Sequence, residues 1–367
     1  MTSRGPLPSR LYLDDAGSAP VLPQVTEALR ALPEGNASSP HAEGRAARAA
    51  LDRARDTAAA AIGAKRTEIT FVSSGTEAVN LALSGVDGPL VTWTAEHQSV
   101  LGAARRMQAQ GRKVTIAEVD ATAKVGLEAI TPGTAVVSIG LANNEVGTIQ
   151  PVAEAIERAH DAGALVHVDA CAGPRWIPVP VGADLVSFSG HKLGAGRGGM
   201  LYVRDGVRLQ PLFYGGPQEW GRRAGHEDVA AATAVATALA TSAAERERRA
   251  PLAYSQGLAL RLVLRDAGAT LTGADDRLPN VASCVLAGRK GEDMLLALDL
   301  AGVAASSGSA CASGSLDPSH VLLAMGFSLE QALGSLRLSV GYATTDEEVV
   351  RAGQVLYTVL GRAPTHA

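Results

Sequence analysis

Between about residues 20 and 250, short runs of apolar and β-branched residues alternate with longer alanine-rich stretches of helical period. The runs EITFVSS (68–74), PLVTWT (89–94), KVTIAEV (113–119), TAVVSIGL (134–141), ALVHVDA (164–170), ADLVSFSG (183–190) and GMLYVR (199–204) predict seven strands. Most are apolar on both faces, which suits the interior of a largely parallel sheet covered on each side. Between them, GTEAVNLALSG and VAEAIERAHDAG predict helices, the second ended by Gly163. A doubly wound α/β layer is the expected architecture.

From about residue 226 the pattern changes. One alanine-rich helical stretch, HEDVAAATAVATALATSAAERERRAP, leads to a smaller α+β region. There NVASCVLAG and SLRLSVGYAT predict strands, while DMLLALDLAG and DEEVVRAGQVLYTVLGR predict helices. The segment DPSHVLLAMG opens another helix, with Asp317 as the expected cap and Pro318 in its first turn. No internal repeat is visible. The expected domains are a large one over 21–250 and a small one from 1–20 with 251–367.

At 367 residues the chain is long enough for about two domains. A net charge of −4 leaves no overall basic footprint for direct nucleic-acid binding. No apolar run approaches the ~18 residues of a membrane span. The first residues, MTSRGPLPSRLYLDDAG, lack an apolar signal core, so a cytoplasmic protein with no membrane partner is expected. The cysteines Cys171, Cys284 and Cys311 are far apart and form no CxxC pair, which argues against a disulfide framework or a zinc site.

Ligands of a doubly wound sheet gather at the carboxyl ends of its strands. Several such ends carry distinctive polar groups. After EITFV, Ser73 to Glu77 open a helix whose free N–H groups and dipole would seat a phosphate, although an ordinary helix cap reads the same way. LVHVDA ends in Asp169, and LVSFSGHK ends in Ser189, His191 and Lys192. An aspartate and a lysine on nearby strand ends beside an anion seat are the minimum that pyridoxal 5'-phosphate needs, the lysine for a Schiff base and the carboxylate for the pyridinium nitrogen. The other lysines, Lys65, Lys113, Lys124 and Lys290, fall in predicted turns or at element starts. GAGRGG (194–199) precedes a strand, whereas a dinucleotide fingerprint must follow one. His97, directly after PLVTWT, is placed either to stack on such a ring or to serve as a structural histidine. Asn143 and Asn144, after TAVVSIG, suit either a turn or a contact to the ring's phenolic oxygen.

Cys311 lies in SSGSACASGS (306–315), where small residues bury little apolar area against the entropy of ordering them. It is a linker thiol without a task or a reactive one that must move. Cys171 and Cys284, within or beside predicted strands, are expected to be packed thiols.

The segments EITFVSSGTEAVNLAL, TAEHQSVL, NNEVGTIQPV, VHVDA, VSFSGHKLGAGRGG, LRLSVGYATT and SSGSACASGSLDPSHVLLAMG resemble the NifS/IscS-type cysteine desulfurases. These are fold-type I pyridoxal 5'-phosphate enzymes of the class V aminotransferase superfamily, and the similarity runs from YLDDAGSAP to near the C-terminus. The resemblance implies a large domain with a mainly parallel seven-stranded sheet and a smaller α+β domain bearing the cysteine segment. It makes Lys192 the Schiff-base lysine and the base for the substrate α-proton, Asp169 the partner of the pyridine nitrogen, and His97 the stacking residue. Asn144 would face the phenolic oxygen, while Gly75, Thr76, Ser189 and His191 would bind phosphate. Asn144 and Arg337 would hold the substrate carboxylate. Cys311 would take the sulfur of L-cysteine as a persulfide, leaving L-alanine, and hand it to an acceptor protein.

Three departures stand out. Ala172 replaces a glutamine the family usually carries three residues after the ring aspartate. His226, in RAGH, replaces a threonine that reaches the phosphate of the neighbouring subunit, so the family's homodimer is still expected. DDAGSAP stands where the family has an alanine and two threonines. These leave open another class V lyase or aminotransferase, or a non-catalytic subunit that docks sulfur-transfer partners. The sulfur acceptor is not legible.

Overall fold

The computed structural model describes residues 10–307 and 318–361. The chain enters as a two-residue strand, β1 (Leu11–Tyr12), followed by two helices, α1 (Pro23–Arg30) and α2 (Ala42–Ile62). The alternating region then runs β2 (Ile69–Val72), α3 (Gly75–Ser84), β3 (Leu90–Trp93), α4 (Gln98–Ala109), β4 (Val114–Ala117), β5 (Val136–Gly140), α5 (Val152–Asp161), β6 (Leu165–Asp169), β7 (Leu185–Ser189), α6 (Gly190–Leu193) and β8 (Gly199–Val203). Every strand expected from the apolar runs forms, and together they make one sheet in the order β2-β8-β7-β6-β5-β3-β4. β8 is antiparallel to both neighbours and the remaining pairs are parallel.

Alternation along each strand sends successive side chains to opposite faces. Val91, Trp93, Val186, Phe188 and Met200 join α2, α5 and part of a later helix on one face. Leu90, Leu185, Leu201 and Val203 meet α3 and α4 on the other. This two-sided burial is why the strands read as apolar runs without a polar stripe.

That later helix is α7 (Val229–Asp266). It was expected to stop near Pro251, yet it continues through the proline. Its first half buries Ala232, Val235 and Leu239 in the large core, and its second buries Ala253, Leu260 and Leu264 in a separate one. Packing at that second set of helical positions outweighs the ~3 kcal/mol that an internal proline costs. The second core is closed by β9 (Thr270–Leu271), β10 (Val281–Val285), α8 (Gly291–Leu300), β11 (Val303–Ala304), α9 (His320–Ala324), α10 (Leu329–Leu333), β12 (Ser335–Ser339) and α11 (Asp346–Leu360). β12, β10 and β9 form an antiparallel sheet, and β1 pairs with β11. Cys284 is packed on β10, where burial pushes its thiol up to about 12.

A second difference from the sequence expectation concerns α9. Its cap is Ser319, whose hydroxyl accepts from the Leu322 N–H at 3.1 Å. Asp317, the expected cap, lies outside the described residues, as do Cys311 and most of the SSGSACASGS run. Among the described residues no helix is long and apolar enough to cross a membrane, and no cluster of His, Cys, Asp and Glu is placed to hold a metal ion.

One edge of the large sheet is β2, the strand that leads into α3. An edge strand exposes unpaired backbone groups that must be covered. Here side chains cover them: the Phe71 N–H donates to Glu219 at 2.9 Å, and the Ile69 carbonyl accepts from Arg55 at 2.7 Å and from the Trp220 indole at 3.2 Å. Arg55 and Glu219 form a buried two-bond pair at 2.7 and 2.8 Å. Removing one member of such a pair strands the other's charge in the interior. Arg55→Met is therefore expected to cost about 3–5 kcal/mol, read as a lowered denaturation midpoint. Adding Glu219→Gln, which keeps an acceptor for Phe71, should recover part of the loss.

Candidate active site

Five connections at the carboxyl edge of the sheet converge on one cavity of about 300 Å³. After β2, the Ser74 hydroxyl caps α3 by accepting from the Glu77 N–H at 3.2 Å, which leaves Gly75 and Thr76 at the helix N-terminus facing the cavity. A Cβ built on Gly75 would stand 2.6 Å from Cys171 Sγ and 2.9 Å from Ser189 Cβ, so glycine is what lets this helix end approach β7. After β3, His97 caps α4, its Nδ1 accepting from the Ser99 N–H at 3.1 Å. After β5 come Asn143 and Asn144. Asn143 spends its side chain on the loop itself, donating to the Ala95 carbonyl and accepting from the N–H groups of Glu145 and Val146. Asn144 lines the cavity.

Asp169 closes β6, and its Oδ1 accepts from the Cys171 N–H at 3.0 Å. β7 passes through Ser189 into α6, a single turn that carries His191 and Lys192. Ser189 Oγ lies 2.9 Å from His191 Nδ1. Among the described residues Lys192 has no hydrogen-bond or ion-pair partner. The cavity thus has an anion-seating helix end with two hydroxyls and an imidazole beside it, a buried carboxylate, and an amine without a partner.

Low local dielectric sets the protonation of its neighbours. Burial, then the charge of Lys192, hold His97 down to about 4, so the ring is a neutral imidazole at ordinary pH. Burial and Lys192 lower His191 in the same way. Cys171 was expected to be a packed thiol. It is packed, but against the cavity wall beside Asp169 and Lys192, and burial followed by the Asp169 charge pushes its thiol well up.

Glu96 is the group the sequence reading passed over. It is buried against the cavity, accepts from the Gly140 N–H at 2.9 Å, and burial raises it to about 8. Its place directly before His97 at a strand end was the available signal. A second missed group is His167, two residues before Asp169 and on the same face of β6. Its nitrogens lie 2.9 Å from Ser138 Oγ and 2.8 Å from Ser187 Oγ, a polar rung across β5, β6 and β7, and burial holds it down to about 4.

Two expected site residues lie elsewhere, and a third falls outside the described residues. Arg337, buried on β12, does not line the cavity: it donates to Asp14 at 2.7 Å and to the Asn144 carbonyl at 2.8 Å. His226 is exposed in a separate hollow of about 480 Å³ with Phe213 and Tyr214. Cys311 is outside the described residues, but both flanks of its segment are tied to the site. The Ser306 N–H and carbonyl pair with the backbone of Arg337 at 3.1 and 2.6 Å. On the other side, Ser319 donates to the Glu145 carboxylate, and His320 Nε2 lies 2.9 Å from the Glu96 carbonyl.

The sequence pattern of the family described as aminotransferase class-V matches residues 11–351. A protein named putative cysteine desulfurase IscS 1, from Bacillus subtilis (strain 168), is 38% identical over 96% of this chain and 99% of its own length. A cysteine desulfurase of Gluconacetobacter diazotrophicus is 40% identical over 95% of this chain and 91% of its own. Among solved structures, a NifS-like protein superposes with a TM-score of 0.89 at 30% identity, covering 96% of this chain and 99% of that one. A structure described as SspA in complex with cysteine gives 0.78 at 29%, covering 90% and 98%.

Glu96 supplies a signed prediction. Its folded value of about 8 lies above the 4.5 of an unburied carboxyl. The fold therefore holds a proton that the unfolded chain has released, and this contribution is full below about pH 4.5 and fades as pH rises toward 8. By pH 7 the loss is on the order of 3 kcal/mol. Glu96→Gln keeps the acceptor for Gly140 and cannot ionise. Melting temperatures of the two proteins should coincide near pH 4.5 and diverge above it, with the variant the more stable at pH 8.

Proposed function

The chain belongs to the aminotransferase class-V family, and we propose that it is a cysteine desulfurase that converts L-cysteine to L-alanine with pyridoxal 5'-phosphate and leaves the sulfur on Cys311. The observation that carries this reading is Lys192, unpartnered among the described residues and held at a strand end between an anion seat and the buried carboxylate of Asp169 in one cavity. The N-terminus of α3, brought close to β7 by Gly75, suits a phosphate, with Thr76, Ser189 and His191 as its other donors. Asp169 would pair with the pyridine nitrogen, neutral His97 would lie on the ring face, and Asn144 would donate to the phenolic oxygen. When bound, the coenzyme supplies an electron sink conjugated to the substrate α-carbon.

Lys192 would hold the coenzyme and, once released by the incoming amine, take the α-proton on Nζ. Asn144 and Arg337 would hold the substrate carboxylate. Arg337 is fixed by Asp14 and the Asn144 carbonyl, and its buried Nε–H, unpartnered among the described residues, is the donor left for that task. Cys311 would act as a thiolate: an S–S bond forms as the substrate's Cβ–S bond breaks, the electron pair stays on carbon, and a proton there completes alanine. The anchoring of Ser306 on Arg337, and of Ser319 and His320 on the loops of Asn144 and His97, supports a sulfur carrier that works at this cavity. A homodimer would let His226 reach the phosphate of the partner's site, and an acceptor protein would receive the sulfur.

Two variants test the reading. Lys192→Ala is expected to reduce alanine release from cysteine by ~10³-fold or more. Cys311→Ser should keep the coenzyme's absorbance but lose persulfide formation, read by mass spectrometry as the absence of one added sulfur. Alanine release that survives the first, or a persulfide on another cysteine in the second, overturns the corresponding role.

A further inference from the structure

Asp169 and the N-terminus of α3 reach the cavity from different strands, and one side chain touches both. Cys171 lies two residues beyond Asp169 and lines the cavity. Its N–H donates to Asp169 Oδ1 at 3.0 Å, which closes a tight turn at the end of β6. The turn sets Sγ 3.9 Å from the Ser187 carbonyl on β7. The sulfur also meets α3, where a Cβ added to Gly75 would stand only 2.6 Å from it. It therefore occupies the corner where β6, β7 and the first residue of α3 come together.

The thiol is a donor in this corner. Burial, then the Asp169 charge, then a hydrogen bond to that carboxylate push it well above the ordinary thiol range, so the sulfur keeps its proton. Asp169 is thus held twice by one residue, through the Cys171 N–H and through its S–H. Against Gly75 the sulfur acts by its bulk, because a close-packed interior resists compression.

Pyridoxal 5'-phosphate, the coenzyme proposed for this cavity, is a rigid ring that carries its phosphate and its basic nitrogen at a nearly fixed separation. Its two seats serve it together only when they are held at the matching distance, and a preset distance spares the ordering that binding would otherwise require. Cys171 is placed to set that distance. We propose that Cys171 is a positioning residue: its sulfur braces the α3 N-terminus against the Asp169 carboxylate and fixes the span between the phosphate seat and the partner of the ring nitrogen. The inference rests on the roles proposed for Asp169 and for that helix end.

The brace gives a task to a thiol that lies on the cavity wall without reacting there. It uses the size of the sulfur and its proton, and the proton is kept only while the thiol stays un-ionised. A methyl at this position would leave the corner open and Asp169 held by a single N–H. A hydroxyl would restore the donor but not the full bulk, because a C–O bond is shorter than a C–S bond.

The test compares two ligands on the full chain freed of coenzyme: pyridoxal 5'-phosphate itself, and inorganic phosphate read by its competition with the coenzyme. Phosphate needs only the helix end, whereas the coenzyme needs both seats at once. Cys171→Ala is expected to weaken coenzyme binding by about five- to tenfold while phosphate stays within about twofold of the wild type. Cys171→Ser, which restores a donor, should bind the coenzyme more tightly than Cys171→Ala. Parallel losses of coenzyme and phosphate would mean that the sulfur only packs the helix end, and would overturn the proposal. Unchanged coenzyme affinity in Cys171→Ala, or a serine variant no tighter than the alanine one, overturns it as well. A wild-type chain that binds phosphate but no coenzyme overturns the proposed function instead.

Discussion

Gly140, Asp169 and Ser187 sit opposite one another across β5, β6 and β7, and this register decides where each side chain at the sheet's edge points. Because side chains alternate along a strand, a slip of one residue would turn Asp169 from the cavity to the opposite face of the sheet. The same ladder aligns Ser189 with Gly199 and Gly199 with Val72, so the turn that carries Lys192 and the helix end that begins at Gly75 are set by one row of backbone pairs. The antiparallel strand β8 lies between β2 and β7 and transmits that alignment. Glycine at 199 is required there, since an added Cβ would stand 2.4 Å from the Ser74 carbonyl carbon.

Burial then determines what the aligned groups can do. The rung Ser138–His167–Ser187 satisfies polar atoms beneath Asp169, so the carboxylate rests on a polar layer whose histidine stays neutral. Desolvation likewise keeps His97 uncharged and Cys171 a thiol. A neutral ring at His97 can lie against an aromatic ligand without repelling Lys192. An un-ionised Cys171 does not compete with Lys192 as a nucleophile, which leaves the amine as the reactive group on that wall.

The large sheet was legible because its strands are buried on both faces and its helices carry period and stops; each apolar run became a strand. Asp169, Ser189, His191 and Lys192 were legible for the same reason, as polar residues that end apolar strands. What escaped depends on partners remote in sequence. Asp15 and Arg175 look like two unremarkable charges until the fold brings them together as a buried ion pair. Glu96 reads as a solvated acid unless the backbone of Gly140 is known to meet it. Helix α7 crosses Pro251 because two separate cores hold its halves, a fact local propensity cannot express. Ser319 caps α9 because its hydroxyl meets both the Leu322 N–H and the Glu145 carboxylate. The setting of Arg337 escaped for the same reason: its guanidinium is engaged by Asp14 and the Asn144 carbonyl, both remote in sequence.

The account stands on Lys192 being the one amine that bonds to the coenzyme. Reduction of the purified protein with borohydride, followed by proteolysis and mass spectrometry, reads this directly. The predicted result is a single coenzyme adduct on the peptide that contains Lys192. An adduct on Lys65, Lys113, Lys124 or Lys290, or none at all, would contradict it.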